Sequence, residues 1–217
     1  LQKDGVNYAL KHHYSIIGDA MGLGKTLQAI EVIKRSKLKA VVVCPAFLRG
    51  TWVREIRKFS NLSSFIFTST SKKQDFDIAI ISYSYLDKAE YLFRQAGIVI
   101  ADEVHYLKNI EAKRTGLFHE YIRKYKPERF LGLSGTAIKN RVPEFYSLFL
   151  LCAYNPRKTS GMDVRIKFRS FWDFACHFCN VKKFRISGRN VTKFLGHKNL
   201  EEFKELKKGK YIRRKAS

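Results

Sequence analysis

No apolar run in this chain approaches the ~20 residues needed to cross a bilayer, and no signal-peptide pattern stands at its start. Its four cysteines, Cys44, Cys152, Cys176 and Cys179, are too few and too unevenly spaced for a secreted disulfide framework. Internal repeats and low-complexity tracts are missing as well. Acid is scarce: 19 Asp and Glu stand against 42 Lys and Arg, a net charge of +23. The first absences point to a soluble, reduced, intracellular protein with no membrane partner. The shortage of acid points to a polyanion, because each phosphate neutralised by a cationic side chain releases counterions. The imbalance is steepest from Asn155 onward, with 18 basic and 5 acidic residues. A merely solvated basic surface is the plainer alternative. An acidic membrane surface fits less well, since no basic helix with a long apolar face is evident.

With 217 residues there is room for one doubly wound domain plus an appendage. Up to Cys152, short apolar runs alternate with helical patterns. Strands are expected at 14–17, 40–44, 64–67, 77–81, 97–101 and 129–133, most of them continuously apolar, as strands covered on both faces of a parallel sheet are. Helices are expected at 25–36, 51–59 (with Thr51 as its N-cap), 84–95, 111–125 and 142–152. This βαβ rhythm predicts an α/β fold with a mostly parallel sheet between helices. After Cys152 the rhythm fails. A loop rich in Pro, Gly and Ser leads to a short aromatic helix at 170–178, then a basic stretch to Gly196, a helix at 200–208 and "KYIRRKAS". The expected division is a main unit, 1–152, and a basic, partly helical extension, 153–217, free to pack on the main sheet.

Two stretches carry chemistry. "YSIIGDAMGLGKT" reads as a strand, a turn with three glycines, and the start of a helix. Such a turn aims several backbone N–H groups at one point, with the helix dipole behind them. Gly22, Leu23 and Gly24 would wrap phosphate oxygens, Lys25 would reach the β and γ phosphates, and Thr26 would hold Mg²⁺, with Leu27 completing the loop. The generic pattern G-x-x-x-x-G-K-[ST] wants glycine where Asp19 stands. That glycine contributes least to the wrapping, so ATP remains the expected ligand. The second stretch, "GIVIADEVH", is an apolar strand ending in adjacent carboxylates. At the C-terminal edge of a parallel sheet Asp102 would hold Mg²⁺ through a water, and Glu103 would polarise the water attacking the γ-phosphate.

With "VVVCPAFLRGTWVREIRKF", "IISYSYL" and "LGLSGTAIKNRVPEFYSLFLL" between and after them, these stretches resemble, in order and spacing, the first motor lobe of Snf-family DNA translocases. These are the chromatin-remodeller-like members of helicase superfamily two. The family's first motif typically reads D-x-M-G-L-G-K-T, so Asp19 is the family's residue. The resemblance implies a RecA-like P-loop lobe that uses ATP and Mg²⁺ and works on double-stranded or forked DNA with a second RecA-like lobe. It implies that Gln2 reads adenine, and that His105, Ser134, Gly135 and Thr136 couple the ATP site to the lobe interface and DNA. It also places Pro45, Trp52, Ser82 and Tyr83 at or beside the DNA backbone groove, where small hydroxyls and N–H groups suit contacts that carry no sequence information. The region from Phe171 resembles the annealing-helicase branch, and "YIRRKA" the segment closing the first lobe. Ala20, Ala137 and Lys139 replace an acid, a proline and a glutamine of the family pattern, and none of these changes removes a catalytic group. The second lobe's motifs are not in this sequence. An arginine finger from that lobe is typically worth about 10³–10⁵ in rate, so the chain alone is expected to bind ATP weakly and barely turn it over. The compartment implied is the nucleus in a eukaryote, the cytoplasm in a bacterium or virus.

Other features have simpler readings. "CHFC" is at most half a zinc site, and the surrounding Phe171, Trp172, Phe174 and Phe178 favour a packed helix with buried thiols. His12 and His13, before the first strand, are expected to flank the nucleotide cleft rather than ligate metal. Aromatics do not alternate regularly with basic residues as in single-strand binders. Two other functions compete: a DExH RNA helicase lobe, and a nucleic-acid-binding platform with a vestigial ATP site.

Overall fold

A computed structural model describes residues 2–135, 142–157, 162–186 and 189–214, without the side chains of 186, 189 and 190. Thr136, Ala137 and Lys139 lie outside the described residues. The elements run α1 (Gln2–His12), β1 (Tyr14–Ile17), α2 (Lys25–Ser36), β2 (Ala40–Cys44), α3 (Arg49–Phe59), β3 (Ser64–Ile66), β4 (Ile78–Ser82), α4 (Glu90–Gln95), β5 (Ile98–Ala101), α5 (Lys113–Tyr125), β6 (Arg129–Leu133) and α6 (Phe145–Ala153). Then follow α7 (Val164–Lys167), α8 (Phe171–Phe178), β7 (Asn180–Ile186), β8 (Arg189–Leu195), α9 (Leu200–Lys207) and β9 (Tyr211–Ile212). Seven strands form one sheet in the order β3-β4-β2-β5-β6-β1-β9, and every pairing in it is parallel. This is a RecA-like α/β sandwich. The strands are apolar on both faces because both faces are covered: β1, β2, β4 and β5 are buried at every position.

Two apolar layers result. One holds Ile30, Ile33, Val42, Ile80, Ile100 and the ring of Trp52, under α1, α2 and α3. The other holds Val43, Ile81, Phe118 and Phe130 under α4, α5 and α6. A fully buried side chain of this size contributes about 1.5–3 kcal/mol, so the layers fix the sheet. The chain beyond residue 153 adds to the second layer. Phe174 of α8 packs on Tyr146 and Phe149 of α6, Phe203 of α9 packs on Phe145 and Phe149, and Phe178 of α8 packs edge-on against Phe203; β9 pairs with β1 at the sheet edge.

Several expectations change. The helix expected from Thr51 starts at Arg49, continuous with a 3₁₀ turn at Ala46–Leu48. Thr51 therefore sits inside it and is not the cap, and its hydroxyl accepts from Arg54. The segment 84–95 splits into a 3₁₀ stretch, Tyr83–Lys88, and α4. The basic stretch after α8 is an antiparallel ribbon, β7–β8, outside the main sheet. His12 and His13 do not flank the nucleotide cleft. They precede β1, at the edge of the sheet opposite the strands' C-terminal ends, where His12 stacks on Tyr8 and His13 Nε2 lies 3.1 Å from Arg157. Cys176 is exposed and Cys179 buried, and His177 pairs with Glu202. Among the described residues no group of three or more His, Cys, Asp or Glu is placed to hold a metal ion.

Candidate functional site

At the C-terminal edge of the sheet, the loops after β1, β2, β5 and β6 meet in a cleft of about 430 Å³. Gly22, Gly24, Lys25, Thr26, Leu27, Asp102, Glu103 and Gly135 line it together with Trp52, Glu55 and Phe59. The backbone explains the glycines. Gly22 and Gly24 have φ of +81° and +69°, a region that L side chains avoid. A Cβ on Gly24 would also lie 2.5 Å from Nε2 of Gln2, so the first residue of α1 rests against this loop. Gly24 is the N-cap of α2 and no side chain caps it. The first N–H groups of α2 thus have no side-chain cap to accept from them, as in helix ends that bind anions. Leu23 sits in the same turn, its N–H directed to Ala20 O at 3.4 Å. Lys25 Nζ is folded back onto the carbonyls of Asp19 and Ala20, at 2.9 and 3.0 Å. Burial lowers its pKa, against the pull of Glu103, Asp19 and Asp102.

Asp19 takes no position among the cleft-lining residues. It is 1% exposed and accepts from the backbone N–H and the guanidinium of Arg214, and from Gln28 Nε2 at 3.3 Å. A carboxylate is required here because the tail following β9 delivers a guanidinium to this point.

Asp102 and Glu103 end β5. Asp102 is 7% exposed, and burial raises its pKa. Two donors offset that burial: the Trp52 indole N–H, 2.8 Å from Oδ2, and the Glu103 N–H, 2.9 Å from Oδ1. Glu103 has φ 50° and ψ 52°, a left-handed conformation rare outside glycine and typical of residues held under strain at functional sites. The His105 ring, 3.1 Å from Oε2, lowers its pKa against the effect of burial, keeping it ionised near neutrality. Ser134 is fully buried at the end of β6, and Gly135 approaches Lys25 so closely that a Cβ there would lie 3.2 Å from Nζ.

The residues expected beside a DNA groove are arranged differently. Trp52 and Ser82 are each 1% exposed, so their side chains have little surface to offer a groove, whereas Tyr83, 5% exposed, helps to line the groove beside Ser84. Trp52 holds the Asp102 carboxylate, Tyr83 Oη donates to the Asp102 carbonyl at 2.8 Å, and Ser82 Oγ pairs with Ser84. The cause is strand order: β2 lies between β4 and β5, which brings the residues following all three strands onto Asp102. Pro45 directly follows β2 and opens the turn into α3. Sequence reasoning missed the surface beside them. Ser84, Asp87, Lys113 and Arg114 line an open groove of about 340 Å³, and Arg114 also lies over the Tyr106 ring.

With this geometry in hand, the likenesses to known proteins are specific. The SNF2-related domain family matches residues 1–164. A SWI/SNF-related matrix-associated actin-dependent regulator of chromatin subfamily A-like protein 1 from Xenopus laevis is 29% identical over 94% of this chain and 20% of its own length. The DNA annealing helicase and endonuclease ZRANB3 of Bos taurus is 29% identical over 98% of this chain and 20% of its own. Among solved structures, the Sulfolobus solfataricus SWI2/SNF2 ATPase core in complex with dsDNA superposes with a TM-score of 0.74 at 23% identity, covering 99% of this chain and 43% of that one. The chain thus spans about a fifth of the length of these curated relatives. By the extent of the family match, the chain belongs to the SNF2-related domain family.

Proposed function

We propose that this chain is the ATP-binding first motor lobe of a Snf-type translocase that moves on double-stranded DNA, with ATP and Mg²⁺ as its cofactors. The observation that carries the reading is the convergence of the uncapped α2 N-terminus, Lys25, Thr26, Asp102 and Glu103 on one cleft. Loop N–H groups and Lys25, released from the Asp19 and Ala20 carbonyls, hold the β and γ phosphates, and Gln2 beside Gly24 recognises the adenine. Thr26 and Asp102 hold Mg²⁺, which when bound neutralises charge on the phosphates. The donor set fits: a hydroxyl and a buried carboxylate whose ionised form is supported by two N–H groups. Glu103 orients the attacking water and takes its proton. His105, Ser134, Gly135 and Thr136 link the cleft to a second RecA-like lobe. The DNA path runs along the edge that carries Pro45, Ser84, Lys113 and Arg114; beside it Tyr83 braces Asp102 and Ser82 holds the Ser84 hydroxyl. The similarity to a DNA annealing helicase and to a regulator of chromatin supports the annealing-helicase branch and a nuclear setting, and forked DNA is our proposed target beside plain duplex.

The test is ATP turnover by the complete motor with duplex DNA, forked DNA, single-stranded DNA or RNA. Stimulation by duplex or forked DNA is expected. Stimulation by RNA alone would favour an RNA helicase instead, and nucleotide binding unaffected by Lys25→Ala would favour a vestigial site.

The Trp52–Asp102 bond gives a second prediction. A hydrogen bond to a charged group is worth about 1.5–3 kcal/mol, so Trp52→Phe should weaken Mg²⁺-dependent nucleotide binding about tenfold or more while leaving Mg²⁺-free binding nearly unchanged. The chain has only two tryptophans. In a Trp172→Phe background the emission of Trp52 should therefore respond to Mg²⁺-nucleotide. Equal loss with and without Mg²⁺ would mean that the ring acts through packing alone.

A further inference from the structure

The β7–β8 ribbon has no role in the site above, and its charge is one-sided. Residues 180–199 hold six basic side chains, Lys182, Lys183, Arg185, Arg189, Lys193 and Lys198, and no acid. Lys182 stands directly opposite Lys193 in the ladder, on the same face as Phe184 and Val191. Like charges placed opposite each other destabilise an antiparallel pair. Lys182, Lys183, Arg185 and Lys193 are all exposed, and among the described residues no carboxylate pairs with any of them. The other face is anchored, since Phe194 packs on Phe171 and Trp172 at 6.2 and 6.1 Å between ring centres. These three rings share a groove with Lys108–Glu111, the loop that leaves the Asp102–His105 segment. The ribbon is therefore fixed near the working edge of the sheet and presents an unneutralised cationic face outward.

We propose that this outward face, centred on Lys182 and Lys193, is an accessory binding surface for the phosphate backbone of duplex DNA, separate from the groove beside Ser84. The proposal rests on the DNA-motor reading above and assigns that reading a second contact. A bound polyanion would neutralise the two like charges that the register sets opposite each other. Backbone contact fits better than base stacking, because the Lys193 ammonium lies 5.6 Å over the Phe184 ring and occupies the π-face a base would use. A two-stranded ribbon also has the width to follow a DNA groove.

The experiment is duplex DNA binding as a function of salt, for the wild type, Lys182→Gln/Lys193→Gln, Lys182→Arg/Lys193→Arg and a control, Lys34→Gln/Lys37→Gln, at the far end of α2. Each lost phosphate contact lowers the slope of log K against log salt by about 0.9. The Gln pair should flatten the slope by about 2 and weaken binding at least about tenfold at ~0.1 M salt. The Arg pair and the control should bind DNA like the wild type, the Gln pair should melt no lower than the wild type, and all four should bind nucleotide equally. Unchanged slope and affinity in the Gln pair, with a wild type that binds duplex, would overturn the ribbon proposal and leave the motor reading intact. No duplex binding by the wild type at low salt would overturn both. Loss of binding to RNA or to anionic vesicles but not to duplex DNA would show that the face serves another polyanion, and the proposal would fail.

Discussion

Glu103→Gln is expected to bind ATP with near wild-type affinity and to hydrolyse it at least about 10²-fold more slowly in the complete motor with DNA present. The geometry gives the reason. The His105 ring beside Glu103 lowers its pKa and keeps the carboxylate ionised. Its neighbour Asp102 is pushed the other way by burial, and both its oxygens accept hydrogen bonds within the protein. The proposed reading divides the work between two adjacent acids: Asp102 as a fixed ligand, Glu103 as the base. Glutamine keeps the shape and the hydrogen-bonding reach but cannot take a proton, and a positioned general base is worth about 10²–10⁴ in rate. Because the residue keeps a left-handed backbone that constrains its direction, substitution should not disturb the phosphate loop. The loss should fall on kcat and not on KM. Since the folded pKa of Glu103 is lowered, the acid limb of the wild-type rate profile should lie below the ordinary glutamate range. His105→Ala should move that limb upward. A drop in kcat of less than tenfold for Glu103→Gln would assign the base elsewhere.

The main sheet was legible because its strands are continuous apolar runs and lie between two helical layers, so burial on both faces wrote itself into the composition. All six expected strands are present within a residue or so of their expected ends. That the glycine turn and the two carboxylates would meet in one cleft was legible for the same reason, each closing a buried strand at the same edge. What failed needed information that local sequence does not hold. The ribbon was missed because cations interrupt both of its faces, Lys182 and Lys193 beside Phe184 on one and Lys183 and Arg185 beside Phe194 on the other, which hides the alternation expected of a strand. Helix α1 is too polar over most of its length to signal itself, burying only Gly5, Val6 and Ala9. The contacts of Trp52 and Tyr83 with Asp102 were missed because they depend on strand order, which spacing along the chain does not reveal. His13 was misplaced although the polarity of a parallel sheet was available: residues before a strand lie at the edge opposite those after it.

Asp19→Ala should cost the fold more than any other single change in the loop. Asp19 and Arg214 are 195 positions apart, and their side chains are 1% and 14% exposed. Removing one partner of a buried ion pair costs about 3–5 kcal/mol. For a domain of this size that corresponds to a fall in melting temperature of roughly 6–20 °C. The effect should reach nucleotide binding as well, because the Asp19 carboxylate fixes the strand-to-loop junction whose carbonyls hold Lys25. Asp19→Asn, which can still accept from the Arg214 backbone N–H, should lose less. Replacing both partners by apolar residues, as in Asp19→Leu with Arg214→Met, should recover much of the melting temperature, since a packed apolar pair avoids the desolvation cost. It should not recover nucleotide affinity to the same degree, because the tail would no longer be pinned to the loop by a directional, two-toothed contact. If the double change restores both equally, the pair only fills space. If it restores stability alone, the acid standing where a generic phosphate loop has glycine is the point at which the tail after β9 takes hold of the nucleotide site.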